Sequence, residues 1–164
     1  MSTPPLSEHE EHEWFDKPDP TGKTETGETG LRFECTQCGN CCTGPPGYVL
    51  FTNQEAKAMA RDVGVTSDIF WDRYTRSTIV GRSLKEKKSK YGYDCIFLER
   101  DENERALCTV YKSRPEQCRT WPFWSSNLES PETWDEETQG CPGMNSGKLY
   151  SPQHIRITRD RVEI

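Results

Sequence analysis

The first clear pattern of apolar positions along the chain is helical and begins just beyond residue 50. One face of the predicted helix consists of Ala56, Met59, Ala60 and Val63, spaced three or four positions apart. The preceding run from Thr52 to Glu55 matches a capping box, in which a Thr hydroxyl and a Glu carboxylate bind free backbone N–H groups. Gly64 suits the left-handed position that ends a helix. The pattern therefore predicts a helix over residues 53–62.

Shorter elements are predicted on both sides of this helix. The run from Tyr48 to Phe51 predicts a short strand before it. After it, Ser67 is suited to cap a second helix over residues 68–76, with Phe70 and Tyr74 facing inward. The folded part of the chain is therefore expected to begin with short elements.

Further along, the apolar period changes from helical spacing to alternation. Residues 93–98 alternate, a polar run over 101–104 follows, and residues 106–111 form a second apolar stretch. This order predicts a single β-hairpin. Cys95 and Cys108 would then lie on facing strands and point toward one site.

The C-terminal third is irregular between two short predicted elements. Ser113 to Glu116 forms a second capping-box pattern with an early Pro, which predicts a short helix that carries Cys118. Beyond it the chain is acidic as far as the Cys141-Pro142 pair. His154 to Ile157 then predicts an edge strand.

Composition divides the chain into two parts. Residues 1–30 are acidic and rich in Pro, Gly and Thr, and only the Trp14-Phe15 pair could be buried, so we expect a disordered acidic tail. Residues 31–164 are expected to form one cysteine-cluster metal-binding domain. The predicted fold class is a small irregular α+β domain, with short helices and a β-hairpin arranged around a cysteine-ligated metal centre.

The apolar content is low for a folded domain of this length. Only 32% of the 164 residues are hydrophobic, against about 45–50% in typical domains when Gly is counted. Something besides side-chain packing must therefore hold the fold together. The candidates are the eight cysteines, Cys35, Cys38, Cys41, Cys42, Cys95, Cys108, Cys118 and Cys141.

The N-terminal sequence favours metal binding over disulfides. It has neither a basic region nor an apolar run of the secretory type, and no stretch reaches the roughly 18–20 apolar residues of a membrane span. We therefore expect a cytoplasmic protein with no membrane segment. In that compartment, clustered cysteines more often bind metal or catalyse than form disulfides.

Charge gives one expectation about partners. The net charge of −6 makes nucleic acid an unfavourable partner, because binding to phosphate backbones depends on positive charge. Within residues 73–90, however, seven basic residues accompany the single acid Glu86. This segment is either a solvated surface or a docking surface for an acidic protein partner or for RNA.

The spacing Cys35-x2-Cys38-x2-Cys41-Cys42 is the most informative motif. Two-residue spacers let successive thiolates surround one centre, either a tetrahedral zinc ion or an iron–sulfur cluster of the [4Fe–4S] kind. The residues do not decide between these two cofactors. The fourth position of the ferredoxin pattern is not matched.

Adjacent cysteines raise the question of how many sites there are. In an extended chain, Cys41 and Cys42 would project to opposite sides, which favours two sites. One partition is Cys35, Cys38, Cys41 and Cys141 for one site, with Cys42, Cys95, Cys108 and Cys118 for the other. A single site with spare cysteines, a vicinal redox disulfide, and a Cys95 that is merely a small buried side chain remain alternatives.

The set of motifs resembles a known family. The runs FECTQCGNCC, YDCIFL and LCTVYKSRPEQCRTWPFW, followed by Cys141, are similar to the YkgJ-type cysteine-cluster family, over about residues 31–143. The resemblance implies binding of zinc or iron. Related domains occur in flagellin lysine N-methylases, but no methyl-donor loop or second domain is seen here.

Two classes of function follow. The first is a metal-binding protein without its own turnover, acting as a redox or metal-handling module. The alternative is a metal-dependent enzyme, either an oxidoreductase or a protein-modifying enzyme like the flagellin N-methylases, although no catalytic residues can be assigned.

Beside the cysteines, Arg114 and Arg119 are expected to offset negative charge or to keep a cysteine in the thiolate form. Trp121, Phe123 and Trp124 are expected to shield the centre or form core.

Overall fold

The computed structural model of the chain describes residues 12–23 and 26–163, which form short helices and strands. The helices are α1 (Asn53–Asp62), α2 (Ser67–Tyr74), α3 (Glu116–Arg119), α4 (Pro131–Thr138) and α5 (Pro152–Arg159). The strands are β1 (Leu31–Phe33), β2 (Thr75–Thr78), β3 (Gly81–Leu84), β4 (Glu86–Ser89), β5 (Gly92–Cys95), β6 (Leu98–Arg100), β7 (Ala106–Cys108) and β8 (Lys148–Tyr150). The predicted small α+β fold is confirmed. No helix within these ranges is long and apolar enough to cross a membrane.

Each strand pairs with one other strand to form a two-stranded antiparallel sheet. β2 pairs with β3, β4 with β5, and β6 with β7, so three ladders are local hairpins. β1 pairs with β8 across most of the sequence, with Leu31 opposite Tyr150 and Phe33 opposite Lys148. This last ladder ties the beginning of the predicted domain to its C-terminal part.

The first predicted helix is confirmed with its cap. The backbone N–H of Glu55 donates to the Thr52 hydroxyl at 3.2 Å, and the N–H of Thr52 donates to the Glu55 carboxylate at 2.6 Å. α2 begins one residue earlier than predicted, because Thr66 rather than Ser67 caps it. It ends at Tyr74, where the chain enters β2.

The predicted single hairpin is wrong. The alternating run is broken by a turn at residues 96–97, so that β5 pairs backward with β4 and only β6 pairs forward with β7. Cys95 lies opposite Glu86, and Cys108 lies opposite Leu98. The charged sequence of β4 contains no apolar side chain, so hydrophobic patterning gave no sign of it.

Three other predicted elements need correction. Residues 48–51 are not a strand, although Leu50 makes an isolated bridge with Ser83. α3 carries Cys118 as predicted but has no side-chain cap. The predicted edge strand at 154–157 lies within α5, because Ser151 caps a helix there by accepting from the N–H of His154 at 3.3 Å.

Apolar side chains form two separate cores. The first consists of Phe15, Leu31, Phe123, Leu128, Trp134, Cys141, Met144 and Ile155. The second consists of Ala56, Met59, Ala60, Phe70, Leu84, Phe97 and Val110, with Cys95 and Cys108 packed against it. Aromatic contacts stabilise each core, and the Tyr74 and Phe97 rings stack at 5.2 Å in the second.

Part of the predicted tail packs on the first core. Phe15 has no exposed surface, and the Trp14 indole donates to the carbonyl of Leu128 at 2.8 Å. Glu13 forms an ion pair with Arg156 at 2.8 Å. Residues 1–11, 24 and 25 lie outside the described residues, and the domain boundary at residue 30 stays a prediction.

The burial of Phe15 gives a test of this packing. We expect Phe15→Ala to lower the free energy of unfolding by about 3 kcal/mol, because it leaves a cavity among well-packed aromatic rings. Denaturant unfolding monitored by circular dichroism measures the change. Ile79→Ala is the control, since Ile79 is fully exposed and its truncation should change stability by less than about 0.5 kcal/mol. Equal effects of the two substitutions would contradict the packing of residue 15.

Candidate metal centre

A tight turn shapes the loop that carries the first four cysteines. Gly39 has a φ of 80°, and a Cβ there would lie 2.6 Å from the Cβ of Ala106, so glycine is required for both reasons. The next residues, Asn40–Cys42, form a 3-10 helix, in which the N–H of Cys42 donates to the Gly39 carbonyl at 2.9 Å. The N–H of Ala106 donates to the carbonyl of Gln37 at 2.8 Å. The loop is thereby fixed against β7.

The 3-10 turn brings the adjacent cysteines together. The Sγ atoms of Cys41 and Cys42 are 3.7 Å apart. The sequence argument placed these two thiols on opposite sides because it assumed an extended backbone. Since residues 40–42 are helical instead, both thiols are available to one site.

Six of the eight cysteines line a single cavity of about 200 Å³. They are Cys35, Cys41, Cys42, Cys95, Cys108 and Cys118. Cys95 comes from the end of β5, Cys108 from the end of β7, and Cys118 from α3. Much of the remaining wall is apolar, and part of it belongs to the second core. Cys42, Cys95, Cys108 and Cys118 are partly buried against this wall, whereas Cys35 and Cys41 are exposed.

Burial and crowding perturb these thiols strongly. The hydrogen bond with Cys42 lowers the pKa of Cys41 to about 7, and the same contact raises the pKa of Cys42. Burial raises the pKa of Cys95 to about 11. Burial also raises the pKa of Cys118, and the nearby thiols of Cys95, Cys41 and Cys108 add to that shift. The thiols are therefore close enough to influence one another electrostatically.

Arg114 provides positive charge beside the cluster. Its guanidinium favours the thiolate forms of Cys41, Cys108 and Cys118 and so acts to lower their pKa values. The group lies 4.0 Å from the centre of the Tyr111 ring, and its Nε is buried with no hydrogen-bond partner among the described residues. Charge compensation by Arg114, expected from the sequence, agrees with this arrangement.

Cys38 and Cys141 lie apart from the cavity. Cys141 is buried in the first core with 7% of its surface exposed. Burial raises its pKa, the Trp121 indole acts in the opposite direction, and Cys38 adds a smaller upward shift. The structure thus places Cys41 beside Cys42 and Cys118, whereas the partition argued from the sequence grouped it with Cys38 and Cys141.

The aromatic residues near the cysteines divide between the two expected roles. Phe123 is buried in the first core. Trp124 instead lines a second cavity, of about 120 Å³, together with Cys41, Cys42 and Cys95. Trp121 contacts Trp124 edge to face, with ring centres 4.9 Å apart. One side of the cysteine cluster is therefore covered by indole.

Gln117 is a supporting residue that the sequence did not point to. Its side-chain oxygen accepts from the N–H of Leu50 at 2.8 Å, and its nitrogen donates to the carbonyl of Tyr48 at 3.1 Å. These bonds join α3, and hence Cys118, to the segment before α1. A single polar residue beside a cysteine is part of no periodic pattern, so nothing in the sequence predicted this role.

The donor set fits a thiophilic metal, although ligation requires movement of side chains. Within residues 12–23 and 26–163, no three Cys, His, Asp or Glu side chains are arranged to hold one metal ion. Clustered cysteine thiolates are nevertheless the ligands of many zinc and iron–sulfur centres. The lining thiols of Cys95, Cys108 and Cys118 are the candidates to join the Cys41–Cys42 pair in such a site.

The chain belongs to a family of cysteine-cluster domains. Residues 34–142 match the CxxCxxCC family model, which carries the description "Putative zinc- or iron-chelating domain". The protein is therefore a member of the CxxCxxCC family, as the resemblance implied. The "Uncharacterized protein MJ0661" of Methanocaldococcus jannaschii is 31% identical over 96 residues, which are 57% of this chain and 46% of that protein. This chain therefore spans less than half of that relative. No solved structure significantly matches this chain.

The opposite pKa shifts predict selective alkylation of the metal-free chain. At pH 7, a far larger fraction of the Cys41 thiols than of the Cys95 thiols should be ionised, because the pKa of Cys41 is lowered and that of Cys95 is raised. Because the thiolate is the reactive form, iodoacetamide should label Cys41 much faster. Peptide mass spectrometry after short exposures measures both rates. Equal rates between pH 6 and 8 would contradict the assigned environments.

Proposed function

We propose that the protein binds a metal centre through Cys41, Cys42, Cys95 and Cys118 and acts as a redox or metal-handling module. The observation that carries this proposal is the Cys41–Cys42 contact of 3.7 Å at the wall of a cavity lined by six cysteines. Family membership supports zinc or iron as the metal. Cys95 and Cys118 complete the quartet because both thiols act on the pKa of Cys42.

The sulfur separation bears on which centre is bound. Two thiolates at about 2.3 Å from one zinc ion in a tetrahedron are about 3.8 Å apart. Cys41 and Cys42 already have this spacing, so the pair is suited to ligate the same metal ion. A zinc ion or a [2Fe–2S] cluster uses two thiolates on one metal, whereas a [4Fe–4S] cluster distributes four thiolates over four irons. The spacing therefore favours the first two centres.

The chain's own residues would prepare the ligands. Arg114 favours thiolate formation at Cys41 and Cys118, which offsets part of the penalty of burying negative charge. Apolar residues such as Phe97 and Val110 form part of the wall of the same cavity. A bound zinc ion would supply structural ligation, and a bound iron–sulfur cluster would supply one-electron transfer.

Other sequence expectations receive less support. No observation on the described residues and no comparison favours the enzymatic alternative. The basic segment 73–90 forms β2 to β4, where Arg76 pairs with Glu86 at 3.0 Å and the Arg82 side chain donates to Thr75 at 2.7 Å. Much of its charge is thus engaged within the chain. Docking of a protein partner there remains a proposal, as does a cytoplasmic location.

Single Cys→Ser variants test the ligand quartet. We expect Cys41→Ser and Cys42→Ser to lose most of the bound metal alike, because both thiols serve one ion. Cys118→Ser should do the same. The matched control is Cys38→Ser, which alters the same loop but removes a thiol outside the cavity. Zinc, iron and acid-labile sulfide are measured after anaerobic purification.

Two outcomes of this series would contradict the proposal. Loss of metal from Cys38→Ser as complete as that from Cys41→Ser would place the centre in the CxxCxxC loop instead. Retention of a full centre in Cys42→Ser would show that the adjacent thiols do not share an ion.

Removal of the metal should destabilise the fold. The hydrophobic content is low and the proposed ligands join the cysteine loop, β5 and α3, so ligation should contribute directly to the free energy of folding. We expect the metal-free chain to melt at least about 10 °C below the loaded chain, since a stability change of 1 kcal/mol shifts Tm by roughly 2–8 °C for domains of this range of sizes. Calorimetry before and after chelation measures the difference. Equal melting temperatures would refute a structural contribution of the metal.

A further inference from the structure

A groove with several basic side chains in its lining borders the cysteine cluster. It encloses about 480 Å³ and shares Cys35, Cys41 and Cys118 with the cysteine cavity. This volume lies within the usual range of about 300–1,000 Å³ for small-molecule sites. The groove therefore has the size of a ligand site and adjoins the proposed centre.

Apart from the cysteines, the charged side chains that line the groove are mostly basic. Its lining contains Arg114, Arg119, Lys148 and Arg161, against the single carboxylate of Glu34. Arg161 is partly neutralised by Glu116 at 3.2 Å. Four guanidinium or ammonium groups around one groove favour an anionic ligand.

Two of these cations are not committed to a carboxylate of the chain. Within the described ranges, neither Arg119 nor Lys148 forms an ion pair. The Arg119 side chain donates to the backbone carbonyls of Arg114 and Lys112, and the Lys148 ammonium lies 5.0 Å from the centre of the Tyr150 ring. Neither residue is among the principal causes of the cysteine pKa shifts, unlike Arg114. Compensation of the thiolates thus explains Arg114 but leaves these two charges unexplained.

Aromatic side chains also line the groove. Phe33, Tyr111, Trp121 and Tyr150 contribute to its wall. Lys148 is held next to this surface because it pairs with Phe33 across the β1–β8 ladder. Flat aromatic walls beside guanidinium and ammonium groups suit a ligand with a flat apolar body and an oxyanion.

We propose that this groove binds a small organic anion, with a phosphate or carboxylate group held by Lys148 and Arg119 and a flat apolar body against the aromatic wall. Such a ligand would lie beside Cys35 and Cys41, at the edge of the cysteine cluster. The proposal depends on the cations and the aromatic wall, and it does not require a particular metal. Salt should weaken the interaction, because the cations are exposed and therefore screened.

Calorimetric titration of the full metal-loaded chain with defined probes tests the proposal. Phenyl phosphate and benzoate combine both parts of the ligand, while inorganic phosphate and benzyl alcohol each supply one. We expect at least one combined probe to bind with a Kd below about 1 mM at low salt and at least about 10-fold more tightly than either part alone. The two combined probes also distinguish a phosphate from a carboxylate ligand.

Lys148→Gln locates the binding in the groove. This variant removes the charge but keeps most of the side-chain length, and we expect about 10-fold weaker binding of the combined probe. Lys57→Gln is the matched control, since Lys57 is an exposed lysine on α1 and does not line the groove. It should change the affinity less than about twofold. Circular dichroism confirms that both variants are folded.

The outcomes separate this proposal from that of the metal centre. Any of three results would overturn the organic-anion site. Both combined probes could fail to bind, or Lys148→Gln and Lys57→Gln could have equal effects. Inorganic phosphate could also bind as tightly as phenyl phosphate. Metal content is measured on each variant, and Lys148→Gln should keep the wild-type amount. Loss of both metal and binding would assign Lys148 to the metal centre and overturn its role here. Binding by wild-type chain without metal would leave the anion site standing even if the metal centre fails.

Discussion

The crowding of six thiols around one cavity with a partly apolar wall is the constraint on which the rest of the structure depends. Protonated thiols are weak hydrogen-bonding groups, and thiolates without a counter-charge are costly to bury. The pKa of Cys41 is lowered and that of Cys42 is raised, so one thiol of the pair favours the ionised form and the other the protonated form. Arg114 relieves part of it, and a metal ion would relieve the remainder. Clustered thiols beside an apolar wall are therefore compatible with a bound metal ion that offsets the thiolate charge.

The cysteines also connect two cores that share little else. The cavity wall includes residues of the second core, whereas the adjoining groove is lined by Phe33 and Phe123 from the first-core region. Cys41 and Cys118 border both spaces. Each core is small and its sheets are only two-stranded, so neither offers much cooperative stability alone. A ligated centre at their junction would make the two halves unfold together.

The sequence predicted local features better than the pairing of distant segments. The Thr52 cap and α1 follow from side chains within four residues of one another, and the set of cysteine motifs taken together identified the family. β4 was missed because its charged residues are stabilised by pairing with β5, which sequence periodicity does not express. The Cys41–Cys42 geometry was mispredicted because the left-handed turn at Gly39, required by contact with Ala106, changes the backbone that follows. α5 was assigned as a strand although the Ser151-Pro152 pair was a helix-start signal.

The distribution of the proposed ligands along the chain has a consequence for synthesis. Cys41 and Cys118 are separated by roughly 80 residues, so at about 5–20 residues per second the ribosome needs about 4–16 seconds between them. During this interval the vicinal Cys41–Cys42 pair has emerged, or is about to emerge, without its final partners. Vicinal thiols are good chelators and are readily oxidised. With the proposed ligands, a nascent chain would pass through a period in which only part of its ligand set is available to a metal ion, and its thiols would be open to oxidation during that period.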